Sequence, residues 1–273
     1  MNEVEIISTL LLDDRPSPRV MIDVGAHHGG ACRAFVEREW TVYAFEPDPE
    51  NRGQLVEYFE TNSNVFIDHR AVTNSASGEQ PWFKSDESTG ISGLSAFRDS
   101  HTQSTTVDTV DLASFCLQRE ISDIDFLKID TEGHDLMVLR GFDWSDESQR
   151  PRVILCEFED GKSLSLGYRW GEMAEFLAAK GYRVIVSEWK PIVRYGIEHQ
   201  WRCFHRYPCS LVDEGGWGNL IAIRDEEDLP FLVRACERAE SLYHARGGDR
   251  EPAIYRKGLQ WLRCVARKFR RPH

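Results

Sequence analysis

Seven short β-branched runs alternate with helix-like stretches along most of this chain, and no other feature constrains its fold as strongly. The runs are Val20–Val24 (VMIDV), Val42–Phe45 (VYAF), Val65–Val72 (VFIDHRAV), Phe126–Ile129 (FLKI), Val153–Phe158 (VILCEF), Tyr182–Val186 (YRVIV) and Leu220–Ile223 (LIAI). Apolar residues at helical spacing lie between them, around Cys32–Val36, Leu55–Phe59, Leu112–Leu117 and Leu136–Leu139. Strands separated by helices read as βαβ units, so the expected fold is α/β and Rossmann-like, a seven-stranded, mostly parallel sheet with helices on both faces. Asn74–Asp86 has hairpin character and leads into a Ser/Thr/Gly-rich loop, Glu87–Ser95. We read residues 1–225 as one domain with an irregular insertion at 190–218, followed by a helical extension over 226–273.

The chain is long enough, at 273 residues, to bury roughly three quarters of its unfolded surface without disulfides or a structural metal. No apolar run approaches the ~20 residues of a membrane-crossing helix. The first fifteen residues carry four acids against one base, Arg15, which argues against a secretion signal. Seven scattered cysteines with no C-x-x-C pair indicate neither a disulfide framework nor a zinc site. A reduced, cytoplasmic protein is the expectation. The net charge of −12 is uneven: Pro252–His273 holds seven basic residues and no acid, leaving −19 on the remainder. Such an acidic body disfavours nucleic acid as a partner. The basic tail places Tyr255, Leu259, Leu262, Val265 and Phe269 at helical spacing. That pattern suits either peripheral contact with an anionic membrane or docking on the acidic body. Assembly with further copies of the chain is left open.

The sharpest local pattern follows the first strand. MIDVGAHHGG puts Asp23 at the strand end, then Gly25 and Gly29 in a D-x-G-x-x-x-G spacing. A glycine turn there lets a ligand approach the backbone closely. Glu46 ends the second strand, 21 residues beyond Gly25, where an acid accepts hydrogen bonds from both ribose hydroxyls. A dinucleotide fingerprint requires glycine two residues after the first, and His27 stands at that position. The pattern favours S-adenosylmethionine, which has no phosphate, over NAD.

Ile124–Phe142 (IDFLKIDTEGHDLMVLRGF) closely resembles the signature of the FkbM family of S-adenosylmethionine-dependent methyltransferases, I-D-F-L-K-I-D-x-E-G-x-E-x-x-V-L-x-G. VMIDVGAHHGG, VYAFEPDPEN, HRAVTNSASGE, VDTVDLASFC and VILCEFE resemble its other motifs, firmly from Val20 to Gly141 and more loosely to about Arg224. The resemblance implies the class I methyltransferase fold, with S-adenosylmethionine as donor. By position it puts Asp23, Gly25, Ala26 and Gly29 at the donor's methionine end and Glu46 on the ribose. Pro47, Asp48, Asp68 and Ala71 would lie near the adenine, with Asp130 near the sulfonium. Its usual acceptor chemistry implies methyl transfer to oxygen, on a sugar hydroxyl of a polysaccharide or glycosylated metabolite. His134 and Asp135 depart from the family pattern, which often has Ala, Tyr or Phe and then Glu, so acceptor chemistry stays open.

A sugar hydroxyl is a poor nucleophile and benefits from a base. His134 is the best single candidate, since its ordinary pKa of about 6.5 lies near working pH; the competing reading is that it merely opens a helix. Asp130, Glu132 and Glu157 form an acid cluster at neighbouring strand ends, of a kind that can take Mg²⁺. The competing and favoured reading is that Glu132 and Glu157 pair with Lys128 or cap backbone amides, and no metal is assigned. The catalytic candidates are therefore His134, Asp130 and Glu132. In the insertion, Arg194, Tyr195, Trp201 and Arg202, together with Glu157, are candidates for acceptor recognition, aromatic faces stacking on sugar rings and guanidinium groups binding anions. A structural flap is the competing reading. The alternative functions are a methyltransferase acting on a polyketide, lipid or peptide, an NAD(P)-binding oxidoreductase, and a non-catalytic donor-binding subunit.

Overall fold

The computed structural model describes residues 1–11, 19–76, 78–194 and 197–248. Its strands are β1 (Val20–Val24), β2 (Thr41–Phe45), β3 (Val65–Asp68), β4 (Ala71–Val72), β5 (Glu79–Ser85), β6 (His101–Val110), β7 (Ile124–Ile129), β8 (Val153–Glu159), β9 (Arg183–Trp189), β10 (Trp201–Arg206) and β11 (Trp217–Ile223). The helices are α1 (Glu3–Leu11), α2 (Arg33–Val36), α3 (Pro49–Tyr58), α4 (Leu112–Arg119), α5 (Asp135–Arg140), α6 (Asp160–Ser163), α7 (Trp170–Ala179) and α8 (Leu229–Ala245). The chain divides into two compact units, residues 19–170 and residues 1–11 with 171–248.

The first unit carries five parallel strands in the order β3-β2-β1-β7-β8. The expected α/β architecture with a mostly parallel sheet is thus present. Val24 is in register with Phe45 on one side and Ile129 on the other, so three strands end on one edge, where open parallel sheets bind ligands. Phe35, Phe45, Phe115 and Phe126 are fully buried, and Phe45 meets Phe115 edge-on at 4.7 Å. Aromatic burial of this kind contributes about 1.5–3 kcal/mol per side chain.

The run read as one strand over Val65–Val72 is two. The Asp68 carboxylate accepts the Arg70 backbone N–H at 3.0 Å and its guanidinium at 2.6–2.9 Å. This Asx turn ends β3 and turns the chain into β4, which belongs to a separate sheet, β4-β6-β5. Asn74–Asp86, read as hairpin-like, holds only β5, whose antiparallel partner β6 follows the Ser/Thr/Gly-rich connection. β6 carries no apolar alternation in its first half, where residues 102–106 are exposed, so β-branched threonines alone mark it.

In the second unit, β10-β9-β11 are antiparallel. The insertion read as irregular therefore contains a strand, β10. Trp201 at its start is fully buried and packs on Phe204 and Tyr243. Its indole N–H donates to Ser187 Oγ at 3.0 Å, which donates to the buried Glu3 at 2.6 Å. Arg202 Nε lies 3.4 Å from the fully buried Glu188 carboxylate. The basic tail at 252–273 lies outside the described residues. Among the described residues, no helix is long and apolar enough to cross a membrane.

Trp201 is thus a core side chain. Trp201→Ala is expected to cost about 3–5 kcal/mol in denaturant unfolding; a cost below about 1 kcal/mol would contradict its place in the core.

Candidate active site

A cavity enclosing about 830 Å³, part of it open to solvent, lies at the carboxyl edge of β1, β2 and β7. Its walls include Gly25, His27, Glu46, Pro47, Asn51, Arg70, Ala71, Trp82, Thr89, Leu94, Asp130, Glu132 and His134. Each wall segment has a local cause. Gly25 follows β1 at φ +81°, and a Cβ there would collide with the Asp130 carbonyl oxygen, so only glycine lets the two strand-end turns approach. Gly25 and Ala26 donate their N–H groups to the Phe45 carbonyl at 3.0 and 2.9 Å.

Glu46 is buried, and its carboxylate accepts the His27 and Asp48 N–H groups at 2.8 and 2.9 Å. Burial pushes its pKa up to about 7 against these two bonds. Asp48 caps α3, accepting from Glu50 and Asn51 N–H, and Lys84 of the hairpin holds its other oxygen at 2.6 Å. Asn51 donates to the Thr89 carbonyl at 3.3 Å, and His27 Nε2 lies 3.3 Å from Thr89 Oγ1. These contacts bring the 86–100 connection against the glycine turn and the α3 entry.

Several sequence candidates lie beneath this wall or away from it. Asp23 is fully buried, accepts from Cys32 Sγ at 3.1 Å and sits 3.2 Å from Lys128 Nζ. Lys128 also lies 3.4 Å from Asp130 and donates to the Gly25 carbonyl at 3.3 Å. Burial alone would lower its pKa, but Asp23 and Asp130 hold it raised. Neither the Asp23 nor the Lys128 side chain lines the cavity. Gly29 instead makes room for Phe59 and Leu55, and the Asp68 carboxylate is taken by Arg70, the neighbour that does line the cavity. Trp201 and Arg202 are held in the other unit as described, Arg194 is exposed there, and Tyr195 lies outside the described residues.

The turn after β7 brings the catalytic candidates together. Glu132 takes a left-handed φ of +56° and Gly133 follows at +91°; a Cβ on Gly133 would come within 2.7 Å of Lys162 Cβ. Tyr168 OH donates to the Gly133 carbonyl at 2.7 Å and accepts the Leu136 N–H at 3.3 Å, clamping the turn. Asp130, Glu132 and Glu157 bring one carboxylate oxygen each within 4.8 Å of one another. The partner of Glu132 and Glu157 is Lys162, at 2.7 and 2.8 Å, rather than Lys128. Burial pushes Glu132 up to about 7 against the pull of Lys162, and Glu157 well above its ordinary range. His134 Nε2 lies 3.0 Å from Thr73 Oγ1, and burial lowers its pKa to about 4. It is thereby a weaker base than a solvated histidine. Nothing in the sequence marks Arg70, Asn51, Thr89 or Lys162 for this site, and only the hairpin signal around Trp82 points to that residue.

With this geometry in view, residues 23–184 match the Methyltransferase FkbM domain. The chain belongs to the FkbM methyltransferase family, whose methyl donor is S-adenosylmethionine. Over 153 residues it is 30% identical to the hexuronic acid methyltransferase AglP of Haloferax volcanii, a match covering 56% of this chain and 61% of that protein. The chain thus spans about three fifths of that relative's length. Among solved structures, it is similar to precorrin-6y C5,15-methyltransferase from Geobacter metallireducens GS-15 (14% identity, TM-score 0.42, covering 81% and 86% of the two chains). It is also similar to the N-terminal domain of human METTL16 in complex with SAH (14% identity, TM-score 0.43, covering 82% and 69%).

Gly25→Ala is expected to lose about 2–5 kcal/mol, from a strained left-handed backbone and overpacking against Asp130. Calorimetric or denaturant unfolding measures this, and a change below about 1 kcal/mol would contradict the close approach of the two turns.

Proposed function

We propose that the chain transfers the methyl group of S-adenosylmethionine to a sugar hydroxyl of a glycan or glycosylated metabolite, with Glu132 as the base. One observation carries this reading: a carboxylate in the cavity wall, at the end of β7, whose pKa of about 7 suits a general base at neutral pH. The relative named for hexuronic acid supports a sugar acceptor. The wall suits the donor: Glu46 offers a buried carboxylate for the ribose hydroxyls, and Pro47 and Ala71 line the same cavity as apolar neighbours for the adenine. Asp130 and Glu132 bring negative charge to the end where a sulfonium would sit.

S-adenosylmethionine supplies an electrophilic methyl carbon on sulfur. The chain's residues fix the acceptor oxygen in line with that carbon, and positioning contributes most of the rate. As the new carbon–oxygen bond forms and the sulfur–carbon bond breaks, Glu132 takes the hydroxyl proton, leaving a methyl ether and S-adenosylhomocysteine. His134, held against Thr73, shapes the wall instead of taking the proton. The same Lys162 that pairs with Glu132 gives the acid cluster its cation, so the reading needs no metal.

Glu132 must be ionised to act, so activity is lost as pH falls through its raised pKa. The kcat/KM profile is expected to fall tenfold per unit below a midpoint near 7; a profile flat down to pH 5 would point to His134, with its pKa near 4. Glu132→Gln should lower kcat by about 10²–10⁴-fold. With a glucuronide as acceptor, the product should resist mild alkali, as an ether does; an alkali-labile methyl ester would place the transfer on the carboxylate and overturn the hydroxyl reading. Glu46→Ala should weaken S-adenosylhomocysteine binding about 10- to 100-fold in calorimetry, from the loss of charge-assisted hydrogen bonds. Unchanged affinity would remove Glu46 from the donor site.

A further inference from the structure

Lys162 is 98% buried, in the short helix after β8, and its ammonium faces three carboxylates: Glu132 at 2.7 Å, Glu157 at 2.8 Å and Glu159 at 3.2 Å. The ammonium donates to Glu157 Oε2, and the Glu132 and Glu159 carboxylates lie at ion-pair distance from it. A lysine this deep persists only when its charge is compensated. The compensation is more than local neutrality, because the same ion pair reaches the cavity wall through Glu132.

Two further features tie Lys162 to that wall. Glu132 sits at a left-handed φ, a conformation costing a residue with a side chain about 1–2 kcal/mol, so something must hold it there. The contact with Lys162 does so, and Gly133 is the residue whose missing side chain lets the Lys162 backbone and Cβ come close. The Phe97 ring lies 5.9 Å from the ammonium on another side. The charged groups around Glu132 are Asp130 on its own turn, Asp135 at the start of α5, Glu157 and Glu159 from β8, and Lys162. Four of these five are acids, and Lys162 is the one that favours an ionised Glu132.

We propose that Lys162 is a positioning residue for methyl transfer, a buried cation that aims the Glu132 carboxylate into the cavity and keeps it charged among neighbouring acids. This rests on the reading of Glu132 as base. Lys162 touches neither donor nor acceptor in this role; it acts through Glu132. Its three-way contact also joins the turn after β7 to the end of β8, so displacement of either segment would misdirect the base.

The test uses the full chain labelled with ¹³C at the glutamate side-chain carboxyl, with the Glu132 resonance assigned by its loss in Glu132→Gln. Lys162→Gln and Lys162→Arg are compared with the parent by carboxyl titration, by S-adenosylhomocysteine calorimetry and by methyl transfer to methyl β-D-glucuronide. Lys162→Gln is expected to raise the Glu132 titration midpoint by about one pH unit or more, because an adjacent positive charge is lost. It should move the acid limb of the rate profile upward by the same amount. It should also lower kcat about 10- to 100-fold through misplacement of the base, with product affinity unchanged within about twofold, and Lys162→Arg should recover most of the rate. An unmoved midpoint would overturn the proposal, as would loss of folding and product binding in both variants alike, which would make Lys162 a purely structural residue. If Glu132→Gln turns over like the parent while the midpoint still moves in Lys162→Gln, the base assignment fails and the positioning role with it. If the parent itself does not methylate the glucuronide, the sugar reading fails separately and the titration still decides whether Lys162 governs Glu132.

Discussion

The collision that any side chain at Gly25 would make with the Asp130 carbonyl is the constraint on which the rest of this structure depends. Parallel pairing of β1 and β7 brings two strand-end turns side by side, and they close on each other only if one of them lacks a Cβ. Lys128, buried beneath, draws the same turns together by reaching Asp23, Asp130 and the Gly25 carbonyl. The cavity is what this approach leaves above the sheet edge. Sterics and charge act together here: the glycine sets how near the turns come, and the buried lysine opposes their separation.

A second buried lysine organises the turn after β7. Lys128 and Lys162 each sit among carboxylates, and each links a strand end to a turn that lines the cavity. The outcome is an acidic wall whose members differ in their titration. Glu46 and Glu132 are both lifted to about 7 by burial, but Glu46 is bound to two backbone N–H groups whereas Glu132 is bound to a cation. A carboxylate fixed by backbone donors suits the binding of hydroxyls. One paired with a cation beside the reacting atoms suits proton transfer. Burial makes His134, the more obvious base by residue type, a weaker base than a solvated histidine.

Much of this was legible in the sequence because it lies at strand ends, where pattern and chemistry coincide. The D-x-G-x-x-x-G turn, the acid at Glu46 and the D-x-E-G turn at Asp130–Gly133 each follow a β-branched run and each contribute residues to the cavity wall. What escaped is of a different kind. Nothing local in the sequence marks Lys162 as buried, and Lys128 reads there as a partner of Glu132 and Glu157, whereas the structure gives it Asp23 and Asp130. The hairpin that supplies Trp82 has a polar, exposed second strand with no alternating apolar signal. Asp68 looked like a strand-tip ligand, but Arg70 two residues on claims its carboxylate. Trp201 and Arg202 sit in a segment whose aromatic and basic composition resembles a recognition surface. Burial of the indole against Phe204 and Tyr243, and of Glu188 beside the guanidinium, gives those residues a core role instead.

In the proposed function, a single cavity at the carboxyl edge of the parallel sheet holds the donor by Glu46 and presents its reactive end to Glu132. A crystal structure of the full chain with S-adenosylhomocysteine tests it most directly. The ribose hydroxyls are expected on the Glu46 carboxylate, with the sulfur directed toward the Asp130–His134 turn. Between the sulfur and Glu132 there should be room for one methyl group and a hydroxyl oxygen about 3–3.5 Å from it. A product molecule bound elsewhere, or one whose sulfur faces away from Glu132, would contradict it.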